Sequence, residues 1–126
     1  MTIHLDPSLE RFLIFDPATL YEAAGLRNMV DPTIRPAWPG AKICGVAATV
    51  QCPPGDNLML HQAVAAAVQG QVIVANTGSY LLTGAWGEIL TVAAQAKGIV
   101  GLAIDGAVRD IEAIAGLRFP IFSRAI

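Results

Sequence analysis

Apolar runs and amphipathic stretches alternate along the chain, with glycine or proline at most of the boundaries between them. Four short runs rich in valine, isoleucine and alanine are predicted to be buried strands, because buried parallel strands are apolar on both faces. The stretches between them carry helix start and stop signals. The predicted strands are residues 43–50, 71–76, 99–105 and 119–123. The predicted helices are residues 16–25, 57–69, 85–97 and 108–115.

Capping chemistry sets the boundaries of these helices. Asp16 occupies an N-cap position before a proline, and Gly25 ends the same helix. Asp56 is predicted to cap the second helix. Three prolines exclude regular structure from residues 28–40, and the polar, glycine-containing residues 77–84 are predicted to form a loop.

Strands that alternate with helices through short connections predict an α/β domain with a substantially parallel sheet. The near-continuous apolar strands indicate that both faces of the sheet are covered, which makes a three-layer fold. A length of 126 residues corresponds to one domain. Apolar residues make up 54% of the chain and charged residues 14%, which excludes intrinsic disorder. So little charge also indicates that part of the surface is buried in a homo-oligomer.

The charge distribution and the termini argue against several partners. The net charge is −2 and the basic residues are scattered, so there is no electrostatic footprint for nucleic acid or anionic lipid. No window approaches ~18 continuous apolar residues, and residues 1–6 lack the features of a signal peptide. We therefore expect a cytoplasmic protein without a membrane partner. Cys44 and Cys52 lack zinc or redox spacing and are predicted to be inert core thiols.

Two predicted strand ends carry polar residues, and ligands of α/β sheets collect at the carboxyl ends of strands. The first is residues 76–80, which lead into a glycine-containing segment at residues 84–90 whose opening helical turn can bind a carboxylate. The second is residues 105–110, which include an adjacent arginine and aspartate. These are the two candidate sites for chemistry.

The Arg109–Asp110 pair has a catalytic and a structural interpretation. A hard divalent cation prefers carboxylate and water oxygens, and an arginine beside it can bind a substrate carboxylate bidentately. The pair would then form half of a site for a 2-oxo acid, with Glu88 as a second, outer carboxylate. The structural interpretation is that Asp110 caps its own helix and Arg109 is solvated or paired.

Other residues with potential chemistry are assigned structural roles. His61 is predicted to be a satisfied, partly buried histidine, and Trp38 and Trp86 to be packing or interface residues. Asp105 is predicted to cap a turn. Neither a dinucleotide fingerprint nor a Walker A motif is present, which disfavours nicotinamide and nucleoside triphosphate cofactors.

Four segments match the motifs of one protein family in unbroken order. They are PPGDNLMLH at 53–61, GAWGEIL at 84–90, GIVGLAIDGAVRD at 98–110 and FPIFSRA at 119–125. From about residue 8 to its end, the chain resembles the RraA-like family of class II pyruvate aldolases. Within that family it is similar to the branch of 4-hydroxy-4-methyl-2-oxoglutarate and 4-carboxy-4-hydroxy-2-oxoadipate aldolases.

The resemblance implies a swivelling β/β/α three-layer domain that assembles as a homotrimer. It implies that Asp110 is the direct ligand of Mg²⁺, Mn²⁺ or another divalent cation, that Arg109 contacts the 2-oxo-acid end of the substrate, and that Glu88 holds metal-bound water. The implied carboxylate-binding amides are those of Gly87, Glu88, Ile89 and Leu90. Family members continue past the position of Ile126, so residues 1–126 are expected to be the N-terminal portion of a longer family domain.

The implied reaction is metal-dependent retro-aldol cleavage of a 4-hydroxy-2-oxo di- or tricarboxylic acid to pyruvate. A side activity as oxaloacetate decarboxylase is expected, because that decarboxylation passes through the same enolate. The alternatives are a protein-binding regulator of ribonuclease E, as in the family's namesake, and an inactive, truncated family member. The Arg109–Asp110 pair favours the enzyme, since the regulator branch departs from it.

Overall fold

The computed structural model describes residues 7–126, which form one five-stranded sheet with helices around it. The strands are β1 Arg35–Pro36, β2 Val46–Gln51, β3 Gln71–Trp86, β4 Gly101–Val108 and β5 Ile121–Ser123. The α-helices are α1 Pro7–Glu10, α2 Pro17–Ala23, α3 Leu58–Ala66, α4 Glu88–Ala96 and α5 Ile111–Gly116, and a 3₁₀ helix spans Arg11–Ile14. The predicted α/β class is confirmed, and every predicted helix and strand overlaps an observed element of the same type.

The sheet is parallel except at one edge. Its strand order is β1-β5-β4-β3-β2, with β2 to β5 parallel and β1 antiparallel to β5. The two-residue β1 lies in the segment that was expected to be irregular. Pro36 is tolerated there because β1 is an edge strand, where a missing N–H costs no ladder bond on the outer side. The C-terminal strand β5 is therefore paired on both sides.

The hydrophobic core lies between the sheet and helices α3, α4 and α5. Fully or nearly buried side chains from the helices and from the strands meet there: Leu60, Val64, Leu90, Ala94, Ile114, Ile73, Ala75, Leu102, Ile104 and Ile121. Neighbouring strand residues such as Val74 and Ala103 point to the opposite face, because side chains alternate along a strand. That face carries an open groove of about 490 Å³, also lined by Val30, Ile34 and Thr49. The segment that carries Val30 and Ile34 thus covers part of this face, and the helices cover the other.

Trp86 is a central packing residue, as predicted. It is fully buried, and its ring lies 6.1 Å from that of Phe119 with an interplanar angle of 7°. Its indole Nε1 donates to Thr91 Oγ1 at 2.8 Å, and the same hydroxyl donates to the Gly87 carbonyl at 2.9 Å. The end of β3 and the first turns of α4 are therefore locked together through the core. Trp38 also packs here, donating from Nε1 to the Phe119 carbonyl.

Residues 77–84 are not the predicted loop but continue β3. From Asn76 to Trp86 the chain advances ten positions, while its partners on β4 advance only three, from Asp105 to Val108. The register shifts at three points along this stretch. Glycine and polar residues are as compatible with a bulged, extended backbone as with a free loop, so composition alone did not distinguish them. We refer to residues 77–84 as the β3 excursion.

Several smaller predictions are corrected. Val108 belongs to β4, and the following helix begins only at Ile111. Asn57, not Asp56, holds the N-cap position of α3, although the Asp56 carboxylate accepts from the Leu58 N–H at 2.8 Å. His61 is exposed rather than partly buried. Cys52 is buried and Cys44 half-buried, both as free thiols. Among residues 7–126, no helix has the length and apolar character needed to cross a membrane.

Candidate functional site

The two predicted polar strand ends come together at the carboxyl edge of the sheet. Trp86 and Val108 form the last register pair of β3 and β4, and the Arg109 N–H donates to the Trp86 carbonyl at 2.9 Å. Immediately beyond this pair, one chain segment opens α4 and the other carries Arg109 and Asp110. Because β3 and β4 are neighbouring parallel strands, residues 22 positions apart in sequence meet, as in the hydrogen bond between Glu88 and Asp110.

Asp110 does not cap its own helix. It holds the N-cap position of α5 in a left-handed conformation (φ 59°, ψ 34°), but its side chain makes no capping hydrogen bond. Instead its Oδ2 accepts the N–H of Glu88 at 3.0 Å and lies 3.7 Å from Arg109 Nε. Aspartate is one of the few residues that adopt this conformation readily. The prediction that Asp110 caps its own helix is therefore wrong, because its carboxylate bonds to the start of α4. The other half of the structural interpretation agrees with the structure, since the Arg109 side chain is 64% exposed and lies beside Asp110.

Two glycines let the Arg109 and Asp110 side chains lie directly on the backbone. A Cβ on Gly87 would lie 2.5 Å from Asp110 Oδ2 and 2.9 Å from Arg109 Nε. A Cβ on Gly84 would lie 2.8 Å from Arg109 Cβ. Gly87 has φ −147°, which any residue adopts, so close approach rather than backbone conformation requires glycine there. The GAWG segment, residues 84–87, thus lies in direct contact with both charged side chains.

A shallow acidic depression of about 530 Å³ lies beside the GAWG segment. It is lined by Glu88, Asp110, Ile111, Glu112 and Ala113. Glu112 was not among the residues predicted from sequence, although an acidic residue two positions after Asp110 in the first turn of a helix was a readable signal. Three carboxylates against one arginine give the depression a negative potential that favours a cation.

The donor atoms fit a hard divalent cation. Asp110 Oδ1 accepts no hydrogen bond from any described residue, and the side chain is 43% exposed. Mg²⁺ usually keeps several waters and takes only one or two protein carboxylates, which suits a single oxygen of this kind. Within residues 7–126 there is no group of three or more His, Cys, Asp or Glu side chains arranged to hold a metal. A single carboxylate oxygen would leave most of the coordination shell of such a cation to other oxygen ligands.

The first turn of α4 offers backbone donors for a carboxylate. Glu88 N–H is already bonded to Asp110, whereas no described acceptor receives the N–H groups of Ile89 and Leu90. Such unpaired donors, together with the positive end of the helix dipole, bind anions. Of the four predicted amides, only that of Glu88 is bonded to a described residue, and those of Gly87, Ile89 and Leu90 are open to a ligand.

A network around Asp105 joins the β3 excursion to β4 and β5. Ser79 Oγ donates to Asp105 Oδ1 at 2.8 Å, and Thr77 Oγ1 donates to the Asp105 carbonyl at 2.7 Å. The Arg124 guanidinium donates to the same carboxylate through Nε. Its Nη2 donates to Asp31 Oδ2 at 3.2 Å. Asp105 therefore lies within a strand as an ion-pair partner, and the prediction that it caps a turn is wrong. The sequence carried no local sign of the role of Arg124.

The family is shown by comparison with known proteins. The RraA-like family, described as Aldolase/RraA, matches residues 15–126. The chain belongs to the RraA-like family. A relative from Halalkalibacterium halodurans, named "Putative 4-hydroxy-4-methyl-2-oxoglutarate aldolase", is 39% identical over 100 residues, covering 79% of this chain and 47% of that protein. Protein DlpA of Legionella pneumophila is 32% identical over 99 residues, covering 75% of this chain and 16% of its own length.

Two solved structures share the fold. An uncharacterized protein from Pseudomonas syringae pv. tomato aligns with a TM-score of 0.84 and 30% identity over 100% of this chain and 61% of that one. The RNA-processing inhibitor RraA from Thermus thermophilus aligns with a TM-score of 0.78 and 22% identity over 88% of this chain and 67% of that one. The second likeness shows a common fold alone. The chain spans about half the length of the Halalkalibacterium relative.

Proposed function

We propose that the Arg109–Asp110 site carries out divalent-metal-dependent retro-aldol cleavage of a 4-hydroxy-2-oxo di- or tricarboxylic acid to pyruvate. The observation that carries this proposal is the Asp110 carboxylate, which is held by the Glu88 N–H beside Arg109 and has its second oxygen open to an acidic depression. The relatives named as aldolases support it, since the chain shares their family.

Each residue of the site has a distinct task in this reaction. The N–H groups of Ile89 and Leu90 bind the carboxylate next to the 2-oxo group. Asp110 would hold a divalent cation, which would supply Lewis-acid polarisation of the 2-oxo group. As the C3–C4 bond breaks, its electron pair moves toward the 2-oxo oxygen, and the Arg109 guanidinium stabilises the charge that develops there.

The proton balance completes the cleavage. The 4-hydroxyl group loses its proton and becomes a carbonyl, and the pyruvate enolate later takes a proton at C3. The carboxylates of Glu88 and Glu112 lie in the same depression and can hold the water that accepts the first proton. Loss of CO₂ from oxaloacetate leaves the same enolate, so the proposal includes a decarboxylase side activity.

The decisive experiment measures pyruvate release from oxaloacetate and from 4-hydroxy-4-methyl-2-oxoglutarate, with Mg²⁺ or Mn²⁺ and with excess chelator. We expect metal-dependent release in the wild type and a loss of at least about 10³-fold in Asp110→Asn, which keeps the shape but removes the charge. Glu22→Gln, on the exposed face of α2, is the matched control and should retain wild-type rates. Metal-independent turnover, or full activity in Asp110→Asn, would refute the proposal.

Assembly and location form the remaining part of the proposal. We expect a cytoplasmic homotrimer that binds no nucleic acid, in keeping with the scattered charge and with exposed apolar side chains such as Leu82 and Ile89. Light scattering coupled to size-exclusion chromatography measures the mass directly. Stoichiometric recovery of a ribonuclease without any turnover would favour the regulator instead.

A further inference from the structure

A polar network outside the proposed catalytic site links three parts of the chain through one arginine. The Arg124 side chain is only 19% exposed. Its Nε donates to Asp105 Oδ1 in β4, its Nη1 donates to Thr33 Oγ1, and its Nη2 lies 3.2 Å from Asp31 Oδ2. Ser79 in the β3 excursion donates to the same Asp105 oxygen at 2.8 Å. A planar guanidinium fork is suited to such divergent acceptors, whereas a lysine ammonium is a point charge.

The backbone beside Arg124 supports the strand that leads to the catalytic pair. The Arg124 N–H donates to the Gly106 carbonyl at 3.0 Å, and the Val108 N–H donates to the Ala125 carbonyl at 3.1 Å. Val108 immediately precedes Arg109 in the chain. The last residues of β4 are therefore held on one side by residues 124–125.

The other side of this β4 segment faces the irregular part of β3. Only three pairs, with register shifts between them, join the ladder after Asn76–Asp105. Thr77 packs so closely on Gly106 that a Cβ there would lie 2.4 Å from Thr77 Oγ1. In this stretch Asp105 also accepts hydrogen bonds from the Ser79 and Thr77 side chains, beside the irregular ladder. Asp105 thus links the β3 excursion to β4 through hydrogen bonds. Arg124, which directly follows β5, bonds in turn to the Asp105 carboxylate.

We infer that Arg124 is a positioning residue for the site. By holding Asp105, it holds the end of β4 and the β3 excursion in the register that places Arg109 and Asp110 over Gly84 and Gly87. Its consequence for turnover rests on the proposed function, whereas its consequence for the geometry of the site does not.

The network has two arms, and this provides an internal control. One arm runs through Asp105 and Ser79 toward the site. The other runs through Asp31 and Thr33 to the connection before β1, which is not part of the site. If Arg124 only stabilised the fold, removing its charge would change the geometry of the site no more than removing the charge of Asp31 does.

The test compares Arg124→Gln, Arg124→Lys and Asp31→Asn in the full chain. The first readout is the hydrogen-exchange rate of the Glu88 amide, which reports its bond to Asp110. The second is kcat and KM for pyruvate release. We expect Arg124→Gln to raise the exchange rate by about tenfold or more and to lower kcat by about 10- to 100-fold with a smaller change in KM. Arg124→Lys should recover part of both losses, and Asp31→Asn should change each by less than about threefold.

Each outcome decides the inference. Equal exchange at Glu88 in Arg124→Gln and in Asp31→Asn would overturn it, as would wild-type exchange in Arg124→Gln. If Arg124→Gln does not fold, Ser79→Ala removes a single bond of the site-directed arm and should still raise the Glu88 exchange rate, by about two- to fivefold; unchanged exchange there would also overturn it. If the wild type releases no pyruvate, the proposed function fails, but the Glu88 exchange rates still test Arg124.

Discussion

Substitution of Gly87 by alanine separates the geometry of the site from the stability of the fold. The added Cβ would lie 2.5 Å from Asp110 Oδ2, where ordinary contact begins near 3.4 Å. The carboxylate must therefore retreat by about 0.9 Å, the difference between those two distances. This movement breaks the hydrogen bond from the Glu88 N–H and also displaces the Arg109 guanidinium, whose Nε would be 2.9 Å from the new atom.

The expected cost in stability is small. The Gly87 backbone lies in the extended region at φ −147° and ψ −163°, so alanine introduces no backbone strain. Alanine also restricts the unfolded chain, which favours folding by about 0.4–1 kcal/mol. The lost hydrogen bond is to a carboxylate that is 43% exposed, and water can replace it, so its loss costs only about 0.5–1 kcal/mol. The two effects offset each other to within about 1 kcal/mol.

The expected cost in activity is large. A displacement near 1 Å in a positioned catalytic group can reduce turnover by about 10²-fold. The assay is metal-dependent pyruvate release, with thermal unfolding of the same samples. Gly116→Ala is the matched control, because a Cβ at Gly116 meets nothing within 4 Å. It should keep wild-type activity.

The result that refutes this reasoning is a Gly87→Ala variant with wild-type kcat/KM. It would mean that Asp110 and Arg109 can move from their positions over Gly87 without consequence for the reaction. A Tm lowered by more than about 10 °C would refute the stability argument, since about 1 kcal/mol shifts the Tm of a domain of this size by only a few degrees.

Three further predictions concern the scaffold. Thr91→Val leaves the buried Trp86 indole N–H without its acceptor, and urea unfolding should show a loss of about 2–3 kcal/mol, against little change for the exposed Thr83→Val. Gly45→Ala places a Cβ 2.7 Å from the Gly70 carbonyl oxygen, which only a backbone shift between β2 and β3 can relieve, so unfolding should lose about 1–3 kcal/mol. Hydrogen bonds from Thr33 and Arg124 lower the pKa of Asp31 from 3.8 to about 2. Its ionised form therefore stabilises the fold fully above about pH 4 and loses this effect as the pH falls to about 2, so the Tm advantage of wild type over Asp31→Asn should shrink over that range.

Each of these predictions has a result that would contradict it. A wild-type unfolding free energy in Thr91→Val would show that the indole finds another partner. Unchanged stability in Gly45→Ala would mean that the two strands can separate locally at no cost. A Tm difference between wild type and Asp31→Asn that stays constant from pH 5 to pH 2 would show that the bonds of Asp31 to Thr33 and Arg124 do not couple its ionisation to folding.

The local signals in the sequence were sufficient for most of the secondary structure. Asp16 does cap α2, its carboxylate accepting the Ala18 N–H at 3.3 Å, and Pro17 opens that helix. The apolar runs correctly marked the four parallel strands, because parallel strands under a helical layer must be apolar. These features depend on neighbours within about four residues, which is why they could be predicted from sequence.

The polar residues needed the structure. The Thr77–Gly84 stretch looked like a loop because its composition is polar, yet it pairs with Gly106 and Ala107 through register shifts that no local pattern encodes. Asp110 looked like a helix cap, but its partner is an amide 22 residues earlier. Arg124 lies in the FPIFSRA segment that carries the family resemblance, but nothing local indicated its partners, which lie 19 and 93 residues away.

The sequence by itself therefore determined the α/β class, the order of the elements and the Arg109–Asp110 pair as the centre of a candidate site. It also carried the likeness to the RraA-like family, which the match over residues 15–126 confirms. Only the tertiary structure decided which oxygen of Asp110 is free, which amides of α4 remain unpaired and which arginine supports the end of β4. The physical reason is that side-chain polarity states what a residue can bond to, whereas its actual partner depends on the register between strands that are distant in sequence.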